Sequence, residues 1–269
     1  MIKFAGLRTY TLLYLFFLYS PILLLPVFSF NESSVIAFPL SGLTTRWFLT
    51  MWEDDQLLFA LQNSLIVSGS TAVISTILGI FAARAITRYN FPLKSGLAGM
   101  IVLPMVLPNI IIAMSILVVL LTIDIHLSLW TIILGHVLIC IPFSTVILST
   151  AFKSLDKSLE EAACDLGETP ISAFRLITLP LVMPGIVSSI LICFTISLDE
   201  FVIAYFLGGT NTPLAAYIYG QFRFPAKVPA MLALGTILVA LSVVLIGVAE
   251  HVRQRGLARI GGNQMGESR

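Results

Sequence analysis

Long apolar stretches alternate with short polar segments along the chain. A helix that crosses the hydrocarbon core of a bilayer needs about 20 predominantly apolar residues, and six stretches are long enough. They cover residues 9–30, 62–86, 97–122, 129–151, 182–207 and 231–250. The pattern predicts an all-α integral membrane protein with six transmembrane helices.

Details within the apolar stretches refine this prediction. The first stretch is longer than the apolar core of a signal peptide, and no small-residue cleavage site follows it, so we expect an uncleaved span. The third stretch contains Pro104 and Pro108, and the fourth contains Pro142. Prolines are tolerated in membrane helices when neighbouring groups satisfy the freed carbonyls, and here they predict kinks.

The composition points to a lipid environment. Hydrophobic residues make up 58% of the chain and charged residues 11%, which is too few charges to cover a water-soluble protein of this size. The net charge of +1 argues against a nucleic-acid-binding surface, which needs clustered Lys and Arg. The three cysteines and three histidines are scattered without disulfide or metal-ligand spacing, so we predict no metal site.

The distribution of Lys and Arg predicts the orientation, because these residues concentrate in cytoplasmic segments. With the N-terminus in the cytoplasm, twelve of the fifteen lie inside, and only Arg46, Arg223 and Lys227 lie outside. Both termini and the loop 152–181 are therefore predicted to be cytoplasmic.

These spans divide the chain into three parts. Residues 1–60 are predicted to form the first transmembrane helix and an external loop. Residues 61–251 form a five-helix core that includes the loop 152–181, and residues 252–269 form a cytoplasmic C-terminal tail.

The loop 152–181 reads FKSLDKSLEEAACDLGETPISAFRLITLPL and is the longest polar stretch between two of the later spans. Apolar residues recur in it at helical spacing, which predicts a short amphipathic helix, and Gly167 is suited to end that helix. Thr169 and Pro170 form a plausible start for a second helix over 170–178, which Leu179-Pro180 is predicted to end. A projecting pair of short helices is suited to insertion into a groove on another protein.

Within this loop, residues 161–180 fit the EAA motif, EAA-x3-G-x9-I-x-LP, at every fixed position. The chain therefore resembles the permease subunits of bacterial binding-protein-dependent ABC importers. The resemblance implies a type I ABC importer permease fold in the bacterial cytoplasmic (inner) membrane. In that family the loop forms a coupling helix that sits in a cleft of the cytoplasmic ATPase.

The resemblance also implies roles for individual residues. Ala162 and Ala163, with Glu161, would belong to the turn that faces the ATPase, Gly167 would form the bend, and Pro180 would return the chain to the fifth span. The full set expected to couple to the ATPase is Glu160, Glu161, Ala162, Ala163, Asp165, Gly167, Arg175 and Pro180.

The chain contains no G-x-x-x-x-G-K-[ST] phosphate-binding loop, so we expect it to bind no nucleotide or other cofactor itself. The resemblance implies that ATP and Mg²⁺ bind to a separate ATPase. The implied assembly contains two ATPase subunits, a second permease subunit that is a different homologue, and an extracytoplasmic solute-binding protein.

Asp199 and Glu200 lie within the largely apolar fifth span, a costly position that usually faces a bundle interior or a water-filled path. Two interpretations stay open: a carboxylate faces the pathway and favours a cationic solute, or the span ends early and both meet headgroups. The rings of Phe201 and Tyr205 suit either an ammonium group or an interfacial belt. Asn109 either lines the pathway or caps a kink.

The stretches SLDEFVIAYFLGG (197–209) and FPLSGLTTRWF (38–48) resemble the spermidine/putrescine permease branch of the family, in particular its C-type subunit. One departure is that Thr212-Pro213-Leu214 stands where that branch usually has TLP. The resemblance implies polyamine import, with another amine, an opine, aminobutyrate or an aminophosphonate as alternatives.

Two other classes fit the sequence poorly. A stand-alone secondary transporter or channel would predict internal inverted repeats or a chain of buried ionisable residues, and neither is visible. A membrane-embedded enzyme would have to use Asp199 and Glu200 as an acid pair, but adjacent residues on a helix diverge by about 100°. We therefore predict a transport subunit without catalytic residues.

Overall fold

The structure, a computed structural model, describes residues 2–240 and 243, with side chains from Leu7 onward. The predicted tail 252–269 and the end of the predicted sixth span lie outside these residues. The described residues are helical or irregular, apart from one isolated antiparallel bridge between Asn31 and Leu43. The expected all-α architecture is therefore confirmed for the described part of the chain.

The helices differ greatly in length, from a single turn to more than thirty residues. In chain order they are α1 (Ile2–Ser29), α2 (Arg46–Trp52), α3 (Asp55–Arg88), α4 (Lys94–Val106), α5 (Asn109–Thr122), α6 (Leu129–Lys153), α7 (Ser158–Asp165), α8 (Pro170–Ala173), a π-helical turn (Phe174–Thr178), α9 (Leu179–Asp199), α10 (Val202–Leu207), α11 (Leu214–Gln221) and α12 (Pro225–Ala240).

Four helical stretches among the described residues are long and apolar enough to cross a membrane: Leu7–Ser29, Asp55–Arg88, Leu129–Lys153 and Pro170–Asp199. The pair α4 and α5 passes the same test only as one broken span, which makes five at most. The predicted count of six is thus not reached within the described part, where α12 is apolar but shorter.

The third predicted span, 97–122, is not one helix. α4 ends at Val106, α5 begins at Asn109, and the two axes are bent by 104°. Pro108 has no N–H and its ring clashes with the preceding turn, so the chain leaves the helix at Leu107, whose ψ is 140°. The predicted kink is confirmed at Pro108, where it is a full break, whereas Pro104 and Pro142 lie inside the helices α4 and α6.

The described residues form two compact units, of which the first comprises residues 2–55, 220–240 and 243. In its described part, the buried Asn31 organises the segment after α1. Its Oδ1 accepts hydrogen bonds from the Ser41 N–H at 3.1 Å and the Ser41 hydroxyl at 3.2 Å, while its carbonyl accepts one from Trp47 Nε1 at 2.7 Å. Near the end of α1, Thr236 of α12 donates to the Ser29 hydroxyl at 3.2 Å.

The second unit, residues 56–219, is built around α3, α6 and α9. Buried hydroxyl groups connect these three helices: Thr76 lies 2.9 Å from Ser189, and Ser189 donates to Ser144 at 2.8 Å. His136 Nδ1 lies 2.7 Å from the Ser197 hydroxyl. Lipid gives helices little hydrophobic reason to associate, so small residues and interhelical hydrogen bonds hold such bundles together.

Small residues also set the distance between the helices of this unit. A Cβ added at Gly79 of α3 would lie 2.7 Å from the Ser144 Cβ, and one at Gly185 would lie 2.6 Å from the Ala151 Cβ. Both distances are shorter than a real carbon–carbon contact, so each position accepts only glycine at this spacing. The outer faces of the helices, away from these close contacts, are apolar and exposed, for instance at Phe81 on α3.

Candidate functional site

In the loop 152–181, the short helix α7 is joined by a tight turn to α8. Asp156 accepts a hydrogen bond from the Ser158 N–H at 3.0 Å at the start of α7. This bond stabilises the carboxylate and holds the pKa of Asp156 below its ordinary value.

The turn after α7 has the predicted geometry. Gly167 has φ +94°, a conformation that favours glycine, and the Glu168 N–H donates to the Ala163 carbonyl at 3.0 Å. The Thr169 hydroxyl then accepts from the Ser172 N–H at 3.2 Å, with Pro170 in the first turn of α8. The predictions for Gly167 and for the Thr169–Pro170 helix start are confirmed.

The predicted end of the second helix at Leu179-Pro180 is wrong. α8 continues through the π-helical turn Phe174–Thr178 directly into α9, so that residues 170–199 form one helix. Pro180 lacks an N–H and its ring crowds the carbonyl four residues earlier. A π turn adds one residue to the helical turn and absorbs this conflict without ending the helix.

The residues expected to couple to the ATPase fall into two environments. Ala163 is buried, and Glu160 is partly buried against the body of the unit. The others are exposed: Glu161, Ala162, Asp165, Gly167, Arg175 and Pro180. Leu166 and Ile171 add apolar surface on either side of the turn, with 88% and 80% of their area exposed.

Glu160 is bound by groups from the other elements. Its carboxylate lies 3.8 Å from Arg84 Nη2 and 3.7 Å from Arg88 Nε, both at the end of α3. The Thr178 hydroxyl donates to it at 2.8 Å from the π-helical turn. Sequence reasoning missed the two arginines and Thr178, because nothing in a linear sequence links residues so far apart in the chain.

The residues proposed for a solute pathway meet at a second place, where two helices are interrupted. α5 begins at Asn109 after its break, and α9 ends at Asp199, before the extended residue Glu200. Asn109 Nδ2 donates to Glu200 Oε2 at 2.6 Å. Glu200 Oε1 accepts from the N–H groups of Val202 and Ile203 at 2.9 and 3.2 Å, which caps α10.

Aromatic rings surround this junction. The ring of Phe201 lies 5.6 Å from that of Tyr205 and 4.5 Å from that of Tyr219, measured between centroids. About half of the Tyr205 and Tyr219 side chains is exposed. Asp199, by contrast, is exposed and has no hydrogen-bond or ion-pair partner among the described residues.

The structure thus brings together Asn109, Glu200, Phe201 and Tyr205, adds Tyr219, and leaves Asp199 beside them. Interrupted membrane helices whose ends meet are typical of binding sites in transporters. Within the described part of the chain, no three His, Cys, Asp or Glu side chains are grouped so that they could hold a metal ion.

The chain is similar in sequence to known transport proteins. Residues 75–256 match the family described as "Binding-protein-dependent transport system inner membrane component". The putrescine transport system permease protein PotI of Escherichia coli (strain K12) is 37% identical over 232 residues, which cover 83% of this chain and 82% of PotI. The spermidine/putrescine transport system permease protein PotC of the same strain is 36% identical over 231 residues, or 86% and 87% of the two chains.

Solved structures share the fold. A chain of a bacterial ABC transporter involved in the import of the acidic polysaccharide alginate aligns with a TM-score of 0.69 at 22% identity, over 94% of this chain and 95% of that one. A chain of the inward-facing MetNI methionine ABC transporter aligns with a TM-score of 0.59 at 18% identity, over 75% and 94%.

Proposed function

The chain belongs to the family of inner-membrane components of binding-protein-dependent transport systems, and on this premise we propose that it is the transmembrane permease subunit of an ATP-driven importer of polyamines such as putrescine and spermidine. Its relatives are transport permeases rather than enzymes. Two of the relatives most similar in sequence are named for polyamine transport.

The observation that carries the proposal is the exposed turn between α7 and α8. Glu161, Ala162 and Asp165 face outward there, beside the exposed apolar side chains of Leu166 and Ile171. A short helix that presents small and apolar side chains suits a groove on a partner protein. The partner is a cytoplasmic ABC ATPase, of which two subunits bind the assembled permease pair.

The remaining parts of the assembly follow from the same proposal. The chain spans the inner membrane six times with both termini in the cytoplasm, because this orientation puts the turn and most Lys and Arg residues inside. A second, homologous permease subunit completes the pathway, and an extracytoplasmic binding protein delivers the solute. ATP and Mg²⁺ are bound by the ATPase.

The junction of the interrupted helices is the proposed solute pathway. Glu200 is already held by Asn109 and by the start of α10, whereas Asp199 and the rings of Tyr205 and Tyr219 are exposed. An exposed carboxylate directly before Glu200, together with the exposed rings, suits a polyammonium ion, which is bound by opposite charge and by cation–π contact. Another amine, an opine, aminobutyrate or an aminophosphonate is the alternative solute.

The test is uptake by the complete importer in proteoliposomes, with radiolabelled putrescine, spermidine, 4-aminobutyrate and 2-aminoethylphosphonate as probes. We expect uptake of the two polyamines only when the binding protein is outside and ATP is enclosed. Preferred uptake of the phosphonate would overturn the polyamine assignment but leave the importer. Uptake by this chain alone without ATP would overturn the importer.

A further inference from the structure

The Glu160 carboxylate lies where four segments of the second unit converge. α3 contributes Arg84 and Arg88 on successive turns, and the π-helical turn contributes Thr178. Arg88 also donates to the carbonyl of Leu155, just after α6, at 3.1 Å. One side chain of α7 is therefore tied to the ends of α3, α6 and α9.

From this convergence we propose that Glu160 is a positioning residue, which transmits displacement of the exposed turn to the membrane helices through Arg84, Arg88 and Thr178. The proposal rests on the importer function given above and refines it. Glu161 faces the ATPase, while Glu160 faces away from it and connects α7 to the rest of the permease.

The environment of Glu160 makes this connection effective. Only 19%, 8% and 20% of the Arg84, Arg88 and Glu160 side chains are exposed, so water screens their attraction less than it would at a free surface. Arg84 is held in addition by the ring of Phe174, whose centroid lies 4.1 Å from its guanidinium carbon. Both arginine side chains are thus held against the rest of the unit, Arg84 by Phe174 and Arg88 by the Leu155 carbonyl, so they do not turn freely away when the carboxylate moves.

The contact between Arg88 and Glu160 is also longer than a hydrogen bond, so the pair has a second, closer arrangement available. The Arg88 Nε–H lies 3.7 Å from the Glu160 carboxylate and has no hydrogen-bond partner among the described residues. A charge-assisted hydrogen bond has a length of about 2.8 Å, so a shift of α7 by about 1 Å would complete it. A small displacement of the turn therefore changes the bonding at the end of α3.

The experiment compares three variants of the complete importer in proteoliposomes: Glu160→Gln, Arg88→Gln and the double variant. Putrescine uptake and ATP hydrolysis are measured on the same vesicles, and the readout is ATP hydrolysed per putrescine imported. Glu168→Gln is the matched control, since Glu168 lies in the same loop and is exposed, and among the described residues its side chain bonds only to Ser172.

We expect each single variant to raise this ratio about threefold, within the range by which residues between two coupled sites alter their coupling. The double variant should match the single ones, because residues that act through one contact are not additive. Glu168→Gln should keep the wild-type ratio.

Two results would overturn the proposal. Equal losses of uptake and hydrolysis, with an unchanged ratio, would assign Glu160 to folding or assembly alone. Multiplied effects in the double variant would mean that Glu160 and Arg88 act separately. Failure of the wild-type importer to take up putrescine would instead contradict the function proposed above. The two failures can be distinguished, because ATP hydrolysis that is stimulated by the binding protein still reports on Glu160 when no putrescine is taken up.

Discussion

At the scale of single residues, each of two pairs of adjacent acids has one bound and one exposed member. In the pair Glu160–Glu161, the first is bound by arginines and the second is exposed. In the pair Asp199–Glu200, the second is bound by Asn109 and the first is exposed. In each pair, the exposed carboxylate is the one available to a partner or a solute.

The exposed member of the loop pair gives a direct test of the ATPase contact. We expect Glu161→Lys to leave the subunit inserted but to raise ATP hydrolysed per solute at least about fivefold, the lower range of a coupling energy between sites. The measurement is hydrolysis and uptake on the same proteoliposomes. Glu168→Lys makes the same charge change in the same loop, and an equal effect of both variants would contradict a specific role for Glu161.

The exposed member of the second pair tests the solute site. We expect Asp199→Asn to raise the KM for putrescine uptake about two- to fivefold, because an exposed charge pair contributes up to about 1 kcal/mol. The control is Asp124→Asn, since Asp124 is exposed and its φ of +57° suits asparagine equally. Unchanged kinetics in Asp199→Asn would make Asp199 a structural residue.

Which acid of a pair is bound could not be predicted from the sequence. The motif located Glu161, and the apolar context located Asp199 and Glu200. The choice within each pair depends on Arg84 and Asn109, which reach it only through the packing of other helices. A local sequence pattern predicts which side of a helix is apolar, but it does not predict which other helices pack against that side.

At the scale of elements, the turn at Gly167 depends on its backbone rather than on space. A Cβ at this position would meet nothing within 4 Å, but φ is +94°. Gly167→Pro forces φ to about −65° and should uncouple transport from hydrolysis. Gly167→Asn, which tolerates positive φ, should keep coupling; equal behaviour of the two variants in the uptake assay would contradict the role of this turn.

Helix packing in the second unit gives another expectation for α3. Gly79→Ala forces a Cβ against Ser144, so it should destabilise the subunit by about 1–3 kcal/mol, the cost of overpacking. Thermal unfolding in detergent should show a lower Tm. On the same helix, Gly69 has nothing within 4 Å, and Gly69→Ala should leave Tm unchanged or higher.

The sequence predicted where helices occur better than where each helix continues or breaks. The turn was predicted correctly from Gly167 and Thr169-Pro170, because the residue preferences of turns and helix caps depend on local sequence. Leu179-Pro180 suggested a stop where a π turn carries the helix on, and the fifth span breaks at Glu200 without any proline or glycine. That break is stabilised by a hydrogen bond from Asn109, a residue distant in the chain.

At the scale of the whole molecule, the native cysteines test the orientation. Cys164 is exposed in the loop 152–181, whereas Cys140 and Cys193 are buried. With the chain expressed alone, a membrane-impermeant maleimide should label Cys164 in inside-out vesicles but not in intact cells. The matched control is Val35→Cys with Cys164→Ser, because Val35 is exposed in the predicted external loop and should show the opposite pattern.

Among the described residues, hydropathy located the apolar helices but not their geometry. A window average does not distinguish a straight span from the pair α4 and α5, which has the same composition and a 104° bend. The motif in the loop, by contrast, identified the family from twenty residues, and the family match over residues 75–256 confirms it.

The continuous helix 170–199 has the shape of a lever. Its thirty residues span about 45 Å, with the exposed turn at one end and Glu200 just past the other. A tilt of about 5° around its middle would move each end by about 2 Å. Such a motion is enough to break the hydrogen bond from Asn109 to Glu200, so a tilt of this one helix would change both the exposed turn and the place where the helices are interrupted.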